Sequence, residues 1–151
     1  MMNLNWSRKE LTPQKLGTFG EYYAKMVLAS YGASIYTSEV DDHGIDFVAE
    51  CGNRFLKFQV KTIRSKTSYV FMKERDFSRN DPDLFLLLLL LEEGNHPRLY
   101  MIPATAWNDA EKTMLVYHEY EVPECGINIS KKNSQQLEDY RFDKMCDLLT
   151  V

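Results

Sequence analysis

Gly44-Ile45-Asp46-Phe47-Val48-Ala49-Glu50, a polar break at Cys51-Gly52-Asn53-Arg54, and Phe55-Leu56-Lys57-Phe58-Gln59-Val60-Lys61 decide the fold of this chain. In the second half polar and apolar residues alternate with the period of a strand. Leu56, Phe58, Val60 and Thr62 fall on one face; Lys57, Gln59 and Lys61 fall on the other. In the first half Asp46 interrupts the apolar run of Ile45, Phe47, Val48 and Ala49, and a carboxylate set among such residues needs a partner. A hairpin supplies one. With a four-residue connection from Cys51 to Arg54, Glu50 faces Phe55, and counting back places Asp46 opposite Gln59 with Lys61 as the diagonal neighbour. Opposed Cβ atoms then lie about 5 Å apart and diagonal ones about 7 Å. A two-residue connection is expected to put the three polar groups out of phase, so the four-residue one is preferred.

Upstream, Thr12-Pro13 marks a helix start, with Thr12 as N-cap and Pro13 at the first helical position. Leu16, Phe19, Tyr23, Val27 and Tyr31 recur at helical spacing as the apolar stripe, and Gly32 ends the helix. Gly17, Gly20 and Ala24 form a strip of small residues beside it. Interior glycines cost a helix about 1 kcal/mol each, so close packing or a ligand is the usual reason to keep them. Glu21 flanks that strip, where a solvated glutamate is the ordinary reading. Ala33 to Ser38 reads as a first strand, and Glu39 to His43 as an acidic connection in which Asp41 and Asp42 are secondary ligand candidates.

Downstream, Ser68 to Met72 resumes a strand pattern and Asp76 to Asp83 reads as a loop. Leu84 to Leu91 is apolar on both faces, as expected of a strand covered on both sides at the centre of a sheet. Gly94-Asn95-His96-Pro97 turns it into an antiparallel neighbour, Leu99 to Ile102. Ala104 to Ala110 reads as a short helix with Trp107 packed inward. Met114 to Tyr120 and Gly126 to Ile129 are minor strands. From Ser134 the composition is helical, with a break near Arg141.

At 151 residues, 44% of them hydrophobic, the chain has the size of one domain with its own core, residues 1–151. The eight apolar residues Leu84 to Leu91 fall well short of the roughly 20 that cross a bilayer as a helix. With no signal-like segment near Met1, a cytoplasmic location is expected. Cys51, Cys125 and Cys146 are far apart, which argues against a disulfide framework or a zinc site. Net charge is −4, but its distribution matters more than its sum. Between Arg54 and Arg75 stand seven basic residues against Glu74 alone, leaving −10 for the rest of the chain. Lys57, Arg64 and Lys66 in that block are the candidates for contacting nucleic acid, against the plainer reading of a sheet edge guarded by lysines.

Gly20-Glu21 on the first helix, Gly44-Ile45-Asp46, and Gln59-Val60-Lys61 together resemble the PD-(D/E)XK nuclease superfamily, in the branches that carry Gln-x-Lys, such as Mrr-type enzymes and uncharacterised bacterial domains. The resemblance spans Leu16 to Leu91. It implies an α/β, restriction endonuclease-like fold: a central mixed β-sheet with the N-terminal helix packed on it and a C-terminal helical segment. The helix usually found between the third and fourth core strands is poorly marked here, because Ile63 to Asp83 looks like strand and loop.

The resemblance also implies a metal-dependent endonuclease acting on DNA, with Glu21, Asp46, Gln59 and Lys61 as catalytic residues. In-line phosphodiester cleavage requires a nucleophilic water and stabilisation of charge on the phosphoryl oxygens, which a hard cation such as Mg²⁺ or Mn²⁺ assists. Asp46 is then the first metal ligand, Glu21 the second, and Gln59 Oε1 and the Val60 carbonyl neutral oxygen donors. Lys61 would meet the scissile phosphate. Gln59 in place of the usual Glu removes one negative charge and lowers the expected metal affinity. That leaves open a module that keeps the fold to bind nucleic acid or a protein without turnover. A homodimer would supply the second site for a double-strand cut.

Overall fold

A computed structural model describes residues 4–37, 44–109 and 113–149. The chain runs through helix α1 (Pro13–Ser30), strands β1 (Ser34–Tyr36), β2 (Phe47–Cys51), β3 (Arg54–Arg64), β4 (Tyr69–Lys73), β5 (Leu84–Leu91) and β6 (Arg98–Pro103), a 3-10 turn at Ala104–Asn108, strands β7 (Leu115–His118) and β8 (Glu124–Asn128), and helices α2 (Ser134–Glu138) and α3 (Phe142–Met145). A five-stranded sheet has the order β1-β2-β3-β5-β6, and a three-stranded sheet the order β4-β8-β7. The large sheet is mixed: β3 and β5 run parallel, and the other neighbours are antiparallel.

The hairpin has the expected register through a shorter connection. Glu50 faces Phe55 and Phe47 faces Phe58, but Cys51 also pairs with Arg54, so the turn is the two residues Gly52-Asn53. The expectation that two residues would shift the phase was wrong. Closing one more pair at the tip of a hairpin shortens the turn by two residues without moving the pairs below it.

β5 is buried along its whole length and splits its side chains between two cores. Leu84, Leu86, Leu88 and Leu90 join the cluster beneath the small sheet, with Phe77, Tyr100, Trp107 and Ile127. Phe85, Leu87, Leu89 and Leu91 join the cluster beneath α1, with Leu28, Phe47, Leu56 and Phe58. This is why an uninterrupted leucine run is a strand here: both faces are covered. The middle position in the sheet nevertheless belongs to β3, not to β5 as expected, because β1 and β2 add two strands on the far side of β3.

The connection from β3 to β5 contains no helix. It carries β4, which leaves the large sheet and pairs with β8, so the layer opposite α1 is mainly a sheet. Trp107 is buried between the layers, and its indole N–H donates to the Gly126 carbonyl at 2.9 Å.

Helix α1 begins as expected, with Thr12 Oγ1 accepting from Lys15 N at 3.3 Å and Pro13 in the first turn. Its buried line differs from the expected stripe. Leu16, Gly20, Ala24 and Leu28, spaced by four, face the sheet; Phe19, Tyr23 and Val27 pack at the flank, and Tyr31 is exposed. The small residues are therefore the contact. A Cβ on Gly20 would stand 1.6 Å from Thr62 Oγ1, so only glycine lets the helix lie this close to β3. Gly17 has nothing within 4 Å of such a Cβ.

The pair makes a sharp comparison. Gly17→Ala should stabilise the protein by about 0.5–1 kcal/mol through helix propensity, whereas Gly20→Ala should destabilise it by about 1–3 kcal/mol through overpacking. Urea unfolding of both variants checks this; equal shifts would show that α1 does not rest on Thr62.

Candidate functional site

The site forms where β2 ends against β3. Asp46 N still donates to Phe58 O at 2.9 Å, one step past the last strand pair. Beyond it the Asp46 side chain takes over the pairing: its Oδ2 accepts from Val60 N at 2.6 Å. An N–H and C=O of one strand residue point to the same side, so the Val60 carbonyl faces this junction as well. The regular ladder ends at Phe47 and Phe58, so Asp46 is tied to the backbone of Phe58 and Val60, on either side of Gln59, while Gln59 and Lys61 share a face of β3. Gln59 and Lys61 thus line one cleft, and the Asp46 carboxylate is bonded to the backbone of Val60 between them.

Glu21 stands apart. It is ion-paired to Lys25 at 3.0 Å on α1, and Lys25 lies over the Phe47 ring. Phe47, Val60 and Thr62 belong to the α1 side of the sheet, whereas Gln59 and Lys61 look toward β4. Glu21 and the Gln59–Lys61 pair therefore occupy opposite sides of β3.

On the Gln59 side a cleft of about 460 Å³ separates β3 from β4, lined by Gln59, Lys61, Tyr69, Phe71, Lys73 and Asp76 among others. Asp76 was not among the expected residues. It sits in the turn after β4, held by Asp76 N donating to Lys73 O at 2.9 Å. A Cβ on Gly44 would lie 2.9 Å from Asp76 Cβ and 3.5 Å from Gln59 Nε2, and Gly44 has φ +72°. Glycine at 44 is thus required twice, for its backbone conformation and for the approach of Asp76. That double constraint was the available signal, but it links residues 32 positions apart and shows only in the fold.

The donor chemistry suits a hard cation. Gln59 Oε1 is buried with no hydrogen-bond partner among the described residues, a costly state for an amide oxygen. Together with the Asp46 carboxylate and the Val60 carbonyl it would offer oxygen donors alone, the donor type Mg²⁺ or Mn²⁺ takes. Among the described residues no three His, Cys, Asp or Glu side chains gather into one group. Asp41, Asp42 and His43 lie outside the described residues.

The basic block is less available than its composition suggests. Lys57 is ion-paired to Asp81, and Arg54 to Asp83 at 2.7 Å. Burial opposes ionisation of Asp81, but the hydrogen bonds from Lys57 and Asp83 N outweigh it and hold its carboxyl below the usual range. Arg64 donates through Nε to Trp6 O at 2.8 Å and through Nη2 to Leu11 O at 2.9 Å, so it ties the N-terminal arm to β3. Of the expected nucleic-acid contacts Lys57 and Arg64 are thus engaged within the protein. Lys66 is exposed at the β3–β4 turn. Lys61 and Lys73 line the cleft itself.

No family model and no curated protein matches this chain. Solved structures do. The bacterial homing endonuclease I-Ssp6803I superimposes with a TM-score of 0.54 at 18% identity, covering 91% of each chain. The Holliday junction resolvase Hjc from Archaeoglobus fulgidus, an archaeal hyperthermophile, gives 0.48 at 18% identity, over 74% of this chain and 83% of that one. The likeness to the homing endonuclease shows a shared fold, a mixed α/β architecture with an N-terminal helix packed on the sheet and a C-terminal helical segment. Among the described residues no helix is long and apolar enough to cross a membrane.

Arg64→Ala should lower stability by about 1.5–3 kcal/mol, the range for hydrogen bonds to a charged group, while Lys66→Ala stays within about 0.5 kcal/mol of the parent. Thermal unfolding without nucleic acid decides between a structural and a purely ligand-binding Arg64; an unchanged melting temperature in Arg64→Ala would favour the latter.

Proposed function

We propose that this protein is a divalent-cation-dependent phosphodiesterase acting on DNA, using the Gln-x-Lys form of the restriction endonuclease-like site. The observation that supports the reading is the Asp46 carboxylate bonded to Val60 N, between Lys61 and a Gln59 whose Oε1 is buried and unsatisfied among the described residues. The fold shared with a homing endonuclease supports it.

Asp46, Gln59 Oε1 and the Val60 carbonyl would hold Mg²⁺ or Mn²⁺. One further carboxylate, Asp76 from the turn after β4, lines the same cleft and would offset the charge that glutamine at 59 withholds, whereas Glu21 lies on the α1 side, paired with Lys25. The bound cation would polarise the phosphoryl group and favour ionisation of a water. Lys61 brings its ammonium to the scissile phosphate, stabilises the charge that grows on its oxygens, and donates a hydrogen bond that orients the attacking water. The water oxygen bonds to phosphorus as the bond to the leaving oxygen breaks in line, and a proton passes to that oxygen. A cut through both strands of a duplex would use two copies of the chain.

Asp46→Asn retains an oxygen for Val60 N and should keep the fold, yet it and Lys61→Ala should each slow Mn²⁺-dependent nicking of supercoiled plasmid by roughly a hundredfold or more. Activity at the parent level in both variants would remove this site assignment. Gln59→Glu restores a carboxylate and should tighten Mn²⁺ binding, read by calorimetry. A folded parent protein that binds DNA but never cleaves it with either metal would instead identify a binding module on a nuclease fold.

A further inference from the structure

The small sheet turns part of its outer face toward the catalytic cleft. Along β4, Val70 and Met72 enter the core, which sends Tyr69, Phe71 and Lys73 outward. The Tyr69 ring lies across Gly126 of β8: a Cβ there would stand 2.1 Å from the Tyr69 hydroxyl and 2.6 Å from two ring carbons. That hydroxyl donates to Glu124 Oε2 at 2.6 Å. The phenol end of the ring is therefore held by both contacts. Phe71 stands beside it with ring centroids 6.1 Å apart and planes within 20°, and it is 45% exposed.

A single exposed phenylalanine is ordinary. Here the phenylalanine neighbours an immobilised tyrosine, and both line the cleft that holds Gln59 and Lys61. Rigid aromatic rings on a sheet face are what unpaired bases stack on, and such stacking tolerates any sequence because every base has a π-face. Base faces inside a duplex are already covered by their neighbours. Charge adds a direction. Lys61 and Lys73 line the cleft, whereas Glu119 and Glu121 stand in the β7–β8 turn, so a polyanion is drawn along the β3–β4 side rather than toward that turn.

We infer that the substrate is DNA with an unpaired stretch, whose bases stack on Phe71 and Tyr69 while Lys61 and Lys73 meet its phosphates. This deepens the phosphodiesterase reading and rests on it for the identity of the cleft.

Binding is measured with EDTA present, so that cleavage plays no part, by anisotropy of a labelled single strand and of the duplex of the same sequence, with 2-aminopurine in the strand as a stacking probe. The single strand should bind more tightly and its 2-aminopurine fluorescence should be quenched. Phe71→Ala should weaken single-strand binding about tenfold, the scale of one lost base stack, leave duplex binding unchanged, and abolish much of the quenching; Phe71→Tyr should restore both. Single-strand binding unaltered in Phe71→Ala, or lost equally with duplex binding, overturns the inference. Tighter binding of the matching RNA strand overturns the assignment to DNA. Metal-dependent cleavage by a protein whose single-strand binding is indifferent to Phe71 would leave the phosphodiesterase standing and remove this inference alone, whereas stacking without any cleavage would do the reverse.

Discussion

The hydrogen bond from Val60 N to the Asp46 carboxylate is the constraint on which the site depends. A β-sheet normally satisfies each backbone N–H with a backbone carbonyl. Here β2 gives way before β3 does, and a side chain takes the next place in the ladder. The substitution is worth about 1.5–3 kcal/mol as a hydrogen bond to a charged group, and it does more than stabilise. It brings a carboxylate to the junction at the level where Gln59 and the Val60 carbonyl meet it, and it leaves room beyond Asp46 for Gly44 and the Asp76 turn to approach.

That junction needs rigid walls, and the cores provide them. Because β5 gives alternate side chains to separate apolar clusters, the parallel β3–β5 pair is clamped from both sides. A well-packed interior transmits displacement rather than absorbing it, so α1 is held at the distance that Gly20 and Thr62 allow. The same clamping fixes where Lys61 stands relative to Asp46. On the opposite layer, β4 leaves the large sheet to pair with β8, and the cleft is the space that this departure opens.

Electrostatics along β3 divide by position rather than by composition. Arg54 and Lys57, at its start, are matched with Asp83 and Asp81 in the approach to β5. Arg64, at its end, is spent on two backbone carbonyls of the N-terminal arm. Lys61 lies between them and lines the cleft. Partly exposed pairs of this kind contribute little to stability, but they remove cations from the surface a polyanion would meet, which sharpens the contrast between the cleft and its surroundings.

Much of this was readable in the residues. The alternation from Leu56 to Lys61 determined which side chains share a face, and the phase of the hairpin followed from placing Asp46 beside a polar partner. The two-sided leucine run predicted a strand buried on both faces, and Thr12-Pro13 predicted where α1 begins. These signals are local, each arising from periodicity or a cap within a few residues. The helix face that makes contact was misjudged, because aromatic residues outweigh glycines in apolar content, while the close approach of β3 favours the line without side chains. The engagement of Lys57 and Arg64, the middle place of β3, the separation of Glu21 from Gln59 and Lys61, and the arrival of Asp76 beside Gly44 came only from tertiary structure. Each depends on which segments distant in the chain become neighbours, and that is settled by the competition of two cores for the faces of one sheet, which no short stretch of sequence contains.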